Sequence, residues 1–233
     1  MNLLAIDSFS QVLSAALLKD DEVFYEEADA GIKHCELVIS LIENLLNRAS
    51  LAPVDLNGVL CMGGPGSFTG LRIGYSIAKA LSLSFSIPAA SVPTLDCIVF
   101  CKEPKFDEEE LILALIQARK HTYFYAFFKG CTRITLDKEG DAAQIITEIK
   151  NYQKSGFKKI TLTGHGAINL KEFIIDLEEI AIFNNEDKGY SKNLLSIAKF
   201  LKIPNNYNSE FLYSGPEYIR KTDAEINLKN DGK

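Results

Sequence analysis

The sequence predicts an α/β protein made of two similar halves, each running strand, strand, strand, helix, strand, helix. Three observations carry that prediction. Apolar runs of strand length open both halves, at Leu3–Ile6 and at Leu111–Ala118. In each half further strand-like runs follow, and then the apolar spacing changes to that of a helix. Between the halves lies Lys102–Glu110, a polar stretch containing Pro104 and the best domain boundary in the chain.

In the first half, Leu3–Ile6 ends at Asp7, and Val12–Leu18 and Glu22–Glu26 flank a turn-like Lys19-Asp20-Asp21. From His34 to Arg48 apolar residues fall at Leu37, Val38, Leu41, Ile42, Leu45 and Leu46, the stripe of an amphipathic helix. Val59–Met62 reads as a buried strand, and a glycine-rich turn leads into a second helix over Phe68–Phe85. Ile87–Val92 is a further strand, and Pro93 restarts the chain toward Thr94–Cys101. In the second half, strands are expected at Leu111–Ala118, Thr122–Phe128, Thr132–Leu136, Lys159–Thr163 and Ile180–Phe183. Helices are expected at Ala142–Lys154, Ala167–Leu177 and Lys192–Phe200. The element order repeats but the residues do not. Two facing βββαβα halves are the layout of the actin, hexokinase and Hsp70 (ASKHA, ribonuclease H-like) superfamily, although mixed strands and helices alone license only α/β. The expected division is 1–103, 104–220 and a polar tail over 221–233.

Composition narrows the function. With 47% hydrophobic and 24% charged residues in 233, the chain matches ordinary globular proteins. Its longest apolar runs are far shorter than the ~20 residues of a membrane helix. Met1–Asp7 has no basic region, so a signal peptide is not expected and a cytoplasmic protein is. The net charge of −6 argues against unaided nucleic-acid binding, which rests on neutralising phosphates. Cys35, Cys61, Cys97, Cys101 and Cys131 are odd in number and lack a Cys-x-x-Cys, which reads as reduced, mostly structural thiols. Cys97 and Cys101 have no histidine in their segment to complete a zinc set.

Gly63-Gly64-Pro65-Gly66-Ser67-Phe68-Thr69-Gly70-Leu71-Arg72-Ile73-Gly74 is the most informative stretch. Its small residues let the backbone turn sharply, and Ser67 or Thr69 can cap the next helix. The spacing is neither Walker A nor the Rossmann fingerprint, so the turn is either a phosphate cradle or purely structural. Asp7, Gly64, Gly66 and Ser67 are the candidate cofactor-binding residues, as a vestigial phosphate site. Asp7 stands where a strand-end acid would position a metal, or it is an ordinary turn aspartate. The matching place in the second half is Gln117, an amide without the charge that Mg²⁺ prefers. No catalytic and no metal-ligating residues are expected. His34 and Cys35 are neighbours with no visible third group, and His165, between glycines, is expected to be exposed.

The Phe68–Phe85 helix is apolar around its circumference, which implies cover on every side, from the core or from a partner. The expected interface joins Gly70, Ile73, Gly74, Ile77, Ala78 and Leu81 to the stripe Leu37, Leu41 and Leu45. A charge at Ile77 or Ala78 is expected to break it.

At Gly64–Gly74 the chain resembles the TsaB (YeaZ) family of bacterial tRNA threonylcarbamoyladenosine synthesis. Leu4-Ala5-Ile6-Asp7, Val92-Pro93-Thr94-Leu95, Ala118-Arg119 and Pro216-Glu217-Tyr218-Ile219-Arg220 carry the likeness along nearly the whole chain. Val-Ser-Thr-Leu is usual where this chain has Val92-Pro93-Thr94-Leu95, and Asp is frequent in place of Gln117. The resemblance implies a non-catalytic, actin-like subunit that requires no cofactor of its own. It forms a homodimer when alone and a heterodimer with TsaD, with the ATPase TsaE joining that complex and tRNA reached only indirectly. TsaD carries the transferase chemistry on a metal-binding His-x-x-x-His pair, and those positions fall near Thr94 and Ile98. The alternatives are an actin-like ATP-dependent phosphotransferase using Asp7 and, on the neighbouring pair alone, a peptidase using His34 and Cys35.

Overall fold

Strand pairing puts the eleven strands of the described residues into two sheets that repeat one topology. The computed structural model describes residues 1–100, 110–174, 179–183, 188–201 and 209–219. The first sheet holds β1 (Asn2–Asp7), β2 (Val12–Lys19), β3 (Glu22–Asp29), β4 (Gly58–Gly64) and β5 (Ala89–Pro93) in the order β3-β2-β1-β4-β5. The second holds β6 (Leu111–Arg119), β7 (Thr122–Lys129), β8 (Thr132–Arg133), β9 (Lys138–Asp141), β10 (Ile160–Thr163) and β11 (Ile180–Phe183). Its path is β11-β10-β6-β7-β8, with β9 also on β7. Read from the other edge, this is the first sheet's order again, so the duplicated element pattern is a duplicated topology.

Helices complete five layers. On the outer face of the first sheet lie α1 (His34–Arg48) and α2 (Phe68–Phe85), and α4 (Ala142–Lys154) and α5 (Ala167–Lys171) cover the second. Between the sheets sit α3 (Thr94–Val99) and α6 (Ser191–Leu201), packed among residues of both. The period of two sorts each strand between layers. Leu4 and Ile6 of β1 face α1 and α2, whereas Ala5 faces the middle layer. Leu113 and Leu115 of β6 face α4 and α5, whereas Ile112 and Ala114 face inward.

The helices α1, α2 and α4 occupy the residues that their spacing predicts. Ser67 caps α2 by accepting the Gly70 N–H at 3.2 Å. Asp141 and Gln144 close a capping box on α4, at 2.9 and 3.0 Å. Differences lie where apolar pattern is thin. The strand expected over Thr132–Leu136 ends at Arg133, and the polar β9 pairs with β7 instead. An edge strand reading Lys-Glu-Gly-Asp has no apolar alternation to announce it. The helix expected to Leu177 stops at Lys171, and residues 175–178 lie outside the described part. So do Cys101, most of the polar divider and the tail from Arg220 onward.

The C-terminal residues expected with the second half pack on the first sheet. Helix α6 lies against β1, β2 and β4. The short α7 (Ser209–Tyr213) and the segment to Ile219 then run across α2 and β5. Phe211 stacks on Tyr75 at 5.1 Å and Tyr218 on Phe68 at 4.6 Å. Lys79 donates to the Ser214 carbonyl at 2.5 Å, Arg72 to the Tyr218 hydroxyl at 3.0 Å, and the Glu217 amide to the Gly63 carbonyl at 2.8 Å. Phe68, Arg72, Tyr75 and Lys79 form one stripe at helical spacing, so the strap lies along one side of α2.

Candidate functional site

A cleft of about 1340 Å³ opens between the ends of β1 and β6, lined by both sheets and the start of α2. One wall holds Ser67, Phe68, Thr69 and Gly70; another holds Gln117, Arg119 and Lys120; His34 and Cys35 stand at the start of α1. The glycine-rich turn shapes this mouth by close approach. At Gly70 a Cβ would lie 1.8 Å from the Ser8 carbonyl oxygen, and at Gly66 2.8 Å from the Phe9 Cβ. Gly64 has φ +110°, and Glu217 of the strap fills the space where its side chain would be. The Gly64 amide donates to the Thr94 hydroxyl at 3.2 Å. Removing the cap by Ser67→Ala is expected to cost about 1 kcal/mol, read as a shifted urea midpoint.

The candidate cofactor-binding residues separate. Gly66 and Ser67 line the cleft. Gly64 lies beneath the strap, and Asp7 is fully buried away from the mouth. Its Oδ2 accepts the Tyr190 amide at 2.7 Å and the Ser14 hydroxyl at 3.4 Å, while Oδ1 accepts the Phe9 amide at 3.3 Å. Burial with no cation among these donors pushes the carboxyl up to about 7. Placed so, Asp7 does not fit the part of a metal-positioning acid in the cleft. Gln117 is exposed at the mouth and accepts from the Asn169 amide at 2.5 Å. Among the described residues no group of three His, Cys, Asp or Glu side chains is gathered to hold a metal ion.

The histidines are better placed than their neighbours in sequence suggest. His34 is buried with Nε2 2.8 Å from the Ser10 carbonyl, whereas Cys35 is exposed. His165 corrects an expectation: it is half-buried, stacked on Phe9 at 5.4 Å and beside Tyr190 at 5.3 Å. Glycines flank it because β6 passes too close for side chains, with the Leu115 carbonyl 2.4 Å from the Cβ position of Gly164. Thr94 and Ile98 are buried in the middle layer.

Much of the expected interface faces inward. Ala78 and Leu45 have no exposed surface and Leu41 has 7%, so these three belong to the first sheet's core. Gly70 and Gly74 fit against Ser8, since a Cβ on Gly74 would meet the Ser8 hydroxyl at 2.9 Å. They leave room for the turn after β1, not for another protein's helix. Part of the apolar circumference of α2 is accounted for by the chain's own Phe211 and Tyr218. What remains half-buried on the outer side is Leu37, Ile73, Ile77 and Leu81, beside the half-exposed Ile39. The residues that spacing did not reveal are Ser8, Phe9, Gly189, Tyr190 and Ser191. The one signal for the last three was a serine opening a helix.

A family model described as TsaD, tRNA N6-adenosine threonylcarbamoyltransferase, matches residues 28–228. The tRNA threonylcarbamoyladenosine biosynthesis protein TsaB of Bacillus subtilis is 29% identical over 178 residues, 76% of this chain and 76% of that one. Its namesake in Buchnera aphidicola subsp. Schizaphis graminum is 27% identical over 169 residues, 72% of this chain and 80% of that protein. The solved structure of YeaZ from Pseudomonas aeruginosa superposes with a TM-score of 0.70 at 18% identity, covering 94% of this chain and 99% of that one. At that identity the superposition speaks for the fold, which is the two-sheet actin-like one.

Proposed function

The chain belongs to the tRNA N6-adenosine threonylcarbamoyltransferase (TsaD) family and, within it, to the TsaB proteins of tRNA threonylcarbamoyladenosine biosynthesis; from that membership we propose that it is a non-catalytic subunit that pairs with TsaD. The observation that carries the reading is the use made of Asp7. The acid at the end of β1 is spent on the start of α6, and the equivalent place in β6 is the amide Gln117. Neither offers a paired carboxylate to a hard cation in the cleft. The chain works in the cytoplasm, alone as a homodimer and otherwise against TsaD, with TsaE recruited to that pair. The modified adenosine lies next to the anticodon, and this subunit acts on tRNA through its partner, in keeping with its net charge of −6.

The docking surface is the outer seam of α1 and α2, around Leu37, Ile73, Ile77 and Leu81. Ile77→Glu is expected to stay folded by circular dichroism and to stop co-eluting with TsaD, because a carboxylate there is desolvated without a partner. Ala78→Glu, by contrast, is expected to unfold the first sheet, since its methyl has no exposed surface. A folded Ile77→Glu that still co-elutes would move the surface elsewhere. The function itself is read by a tRNA modification assay with TsaD and TsaE, with and without this chain. Full activity without it would remove the proposed role.

A further inference from the structure

We propose that the turn Asp7–Phe9 and the segment Gly189–Ser191 form a latch that holds α6 closed between the two sheets, and that ionisation of Asp7 opens it. The contacts come from three directions. The Asp7 carboxyl accepts the Tyr190 amide at 2.7 Å, and Ser14 on β2 meets Ser191 twice, hydroxyl to hydroxyl at 2.9 Å and amide to hydroxyl at 3.2 Å. A Cβ on Gly189 would lie 2.1 Å from the Ser14 hydroxyl, so the segment enters closer than any side chain allows. The Phe9 ring sits 5.4 Å from His165 and 5.8 Å from Tyr190, joining the second sheet's turn to the same point. The neighbouring turn residue, Ser8, donates its hydroxyl to the Gly70 carbonyl at 2.8 Å, so the latch also abuts α2.

Several ionisable groups surround the Asp7 carboxyl. From β3 come Tyr25 and Glu27, and Glu27 accepts the Gly189 amide at 3.0 Å. From α6 comes Lys192, whose ammonium lies 4.0 Å over the Tyr25 ring. His165 flanks Phe9 from the second sheet, and β2 supplies only the Ser14 hydroxyl. Neither Lys192 nor His165 is among the donors to Asp7, whose carboxyl burial raises from 3.8 to about 7. In an opened form the carboxyl meets water and returns toward its ordinary value. Between those values the open form holds fewer protons than the closed one, so raising the pH favours opening. The opening constant should rise about tenfold per pH unit from about 4 to about 7 and level off above.

Hydrogen exchange on the intact chain reads this directly. The Tyr190 and Ser191 amides are followed from pH 5 to 8.5, with each rate divided by its unprotected rate. Their opening constant is expected to climb about tenfold per unit and flatten above about 7. Across the same range Asp7→Asn is expected to stay flat, and the β1 and β2 amides to remain slower throughout. A flat wild-type profile would overturn the latch, as would an unchanged slope in Asp7→Asn. So would Tyr190 and Ser191 exchanging only as fast as β1 and β2, which would mean global unfolding. If Asp7→Asn does not fold, the wild-type slope, its plateau and the comparison with β1 and β2 still decide.

Discussion

Gly70→Ala is expected to leave little folded protein. A methyl at this position would sit 1.8 Å from the Ser8 carbonyl oxygen, and that oxygen belongs to backbone. No rotamer relieves such a contact, so either α2 moves off the sheet or the turn after β1 is displaced. Both routes break the bond from the Ser8 hydroxyl to the Gly70 carbonyl and the Ser67 amide's bond to the Phe9 carbonyl. Overpacking in a well-packed interior costs about 1–3 kcal/mol when side chains can yield, and a backbone clash exceeds that range. Set against a typical total of about 5–15 kcal/mol, the loss is enough to empty the native state of a marginal chain. Soluble yield and urea denaturation measure it. Gly74→Ala is the milder comparison, because its methyl meets no backbone. Its close contact is the Ser8 hydroxyl at 2.9 Å, which can turn away at the expense of its bond to the Gly70 carbonyl, and the Cys61 Cβ lies at an ordinary 3.6 Å. A Gly70→Ala protein melting within a few degrees of wild type would show that α2 is less tightly seated than the contacts imply.

Phe211→Ala is expected to be the costliest single change in the C-terminal strap. Its ring is 7% exposed and stacks on Tyr75 within the first sheet's core. Truncating a buried phenylalanine costs about 3–5 kcal/mol. Peeling uncovers the aromatic stripe of α2 and releases the bonds of Lys79 and Arg72 to Ser214 and Tyr218. Limited proteolysis should cut after α6 sooner, and the thermal midpoint should fall by several degrees. Tyr218→Ala should cost far less, since that ring is 38% exposed. Equal effects at the two positions would mean that Phe211 is not the anchor.

The elements and their order were legible because burial leaves a period in the residues. A helix covered on one side repeats its apolar residues as α1 does, and a buried strand such as Leu111–Ile116 reads as an unbroken run. The glycines from Gly63 to Gly70 likewise marked a sharp turn of the backbone before any contact was known. The side that each residue takes was a different matter. Apolar residues all round α2 said that it is covered, and spacing has no means of naming the cover. Folding supplied part of it from Phe211 and Tyr218, more than a hundred residues away, which left a smaller outer seam uncovered. Asp7 shows the same limit in polar form. Its place at a strand end suggested a ligand site, yet the donor that fills it is a backbone amide of Tyr190. Every residue but proline carries such an amide, so no residue type signals it. Local pattern therefore determined most of the helices and strands and where the backbone must turn sharply. Only the tertiary structure decided which surfaces those segments spend on one another, because that depends on contacts between residues far apart in the chain.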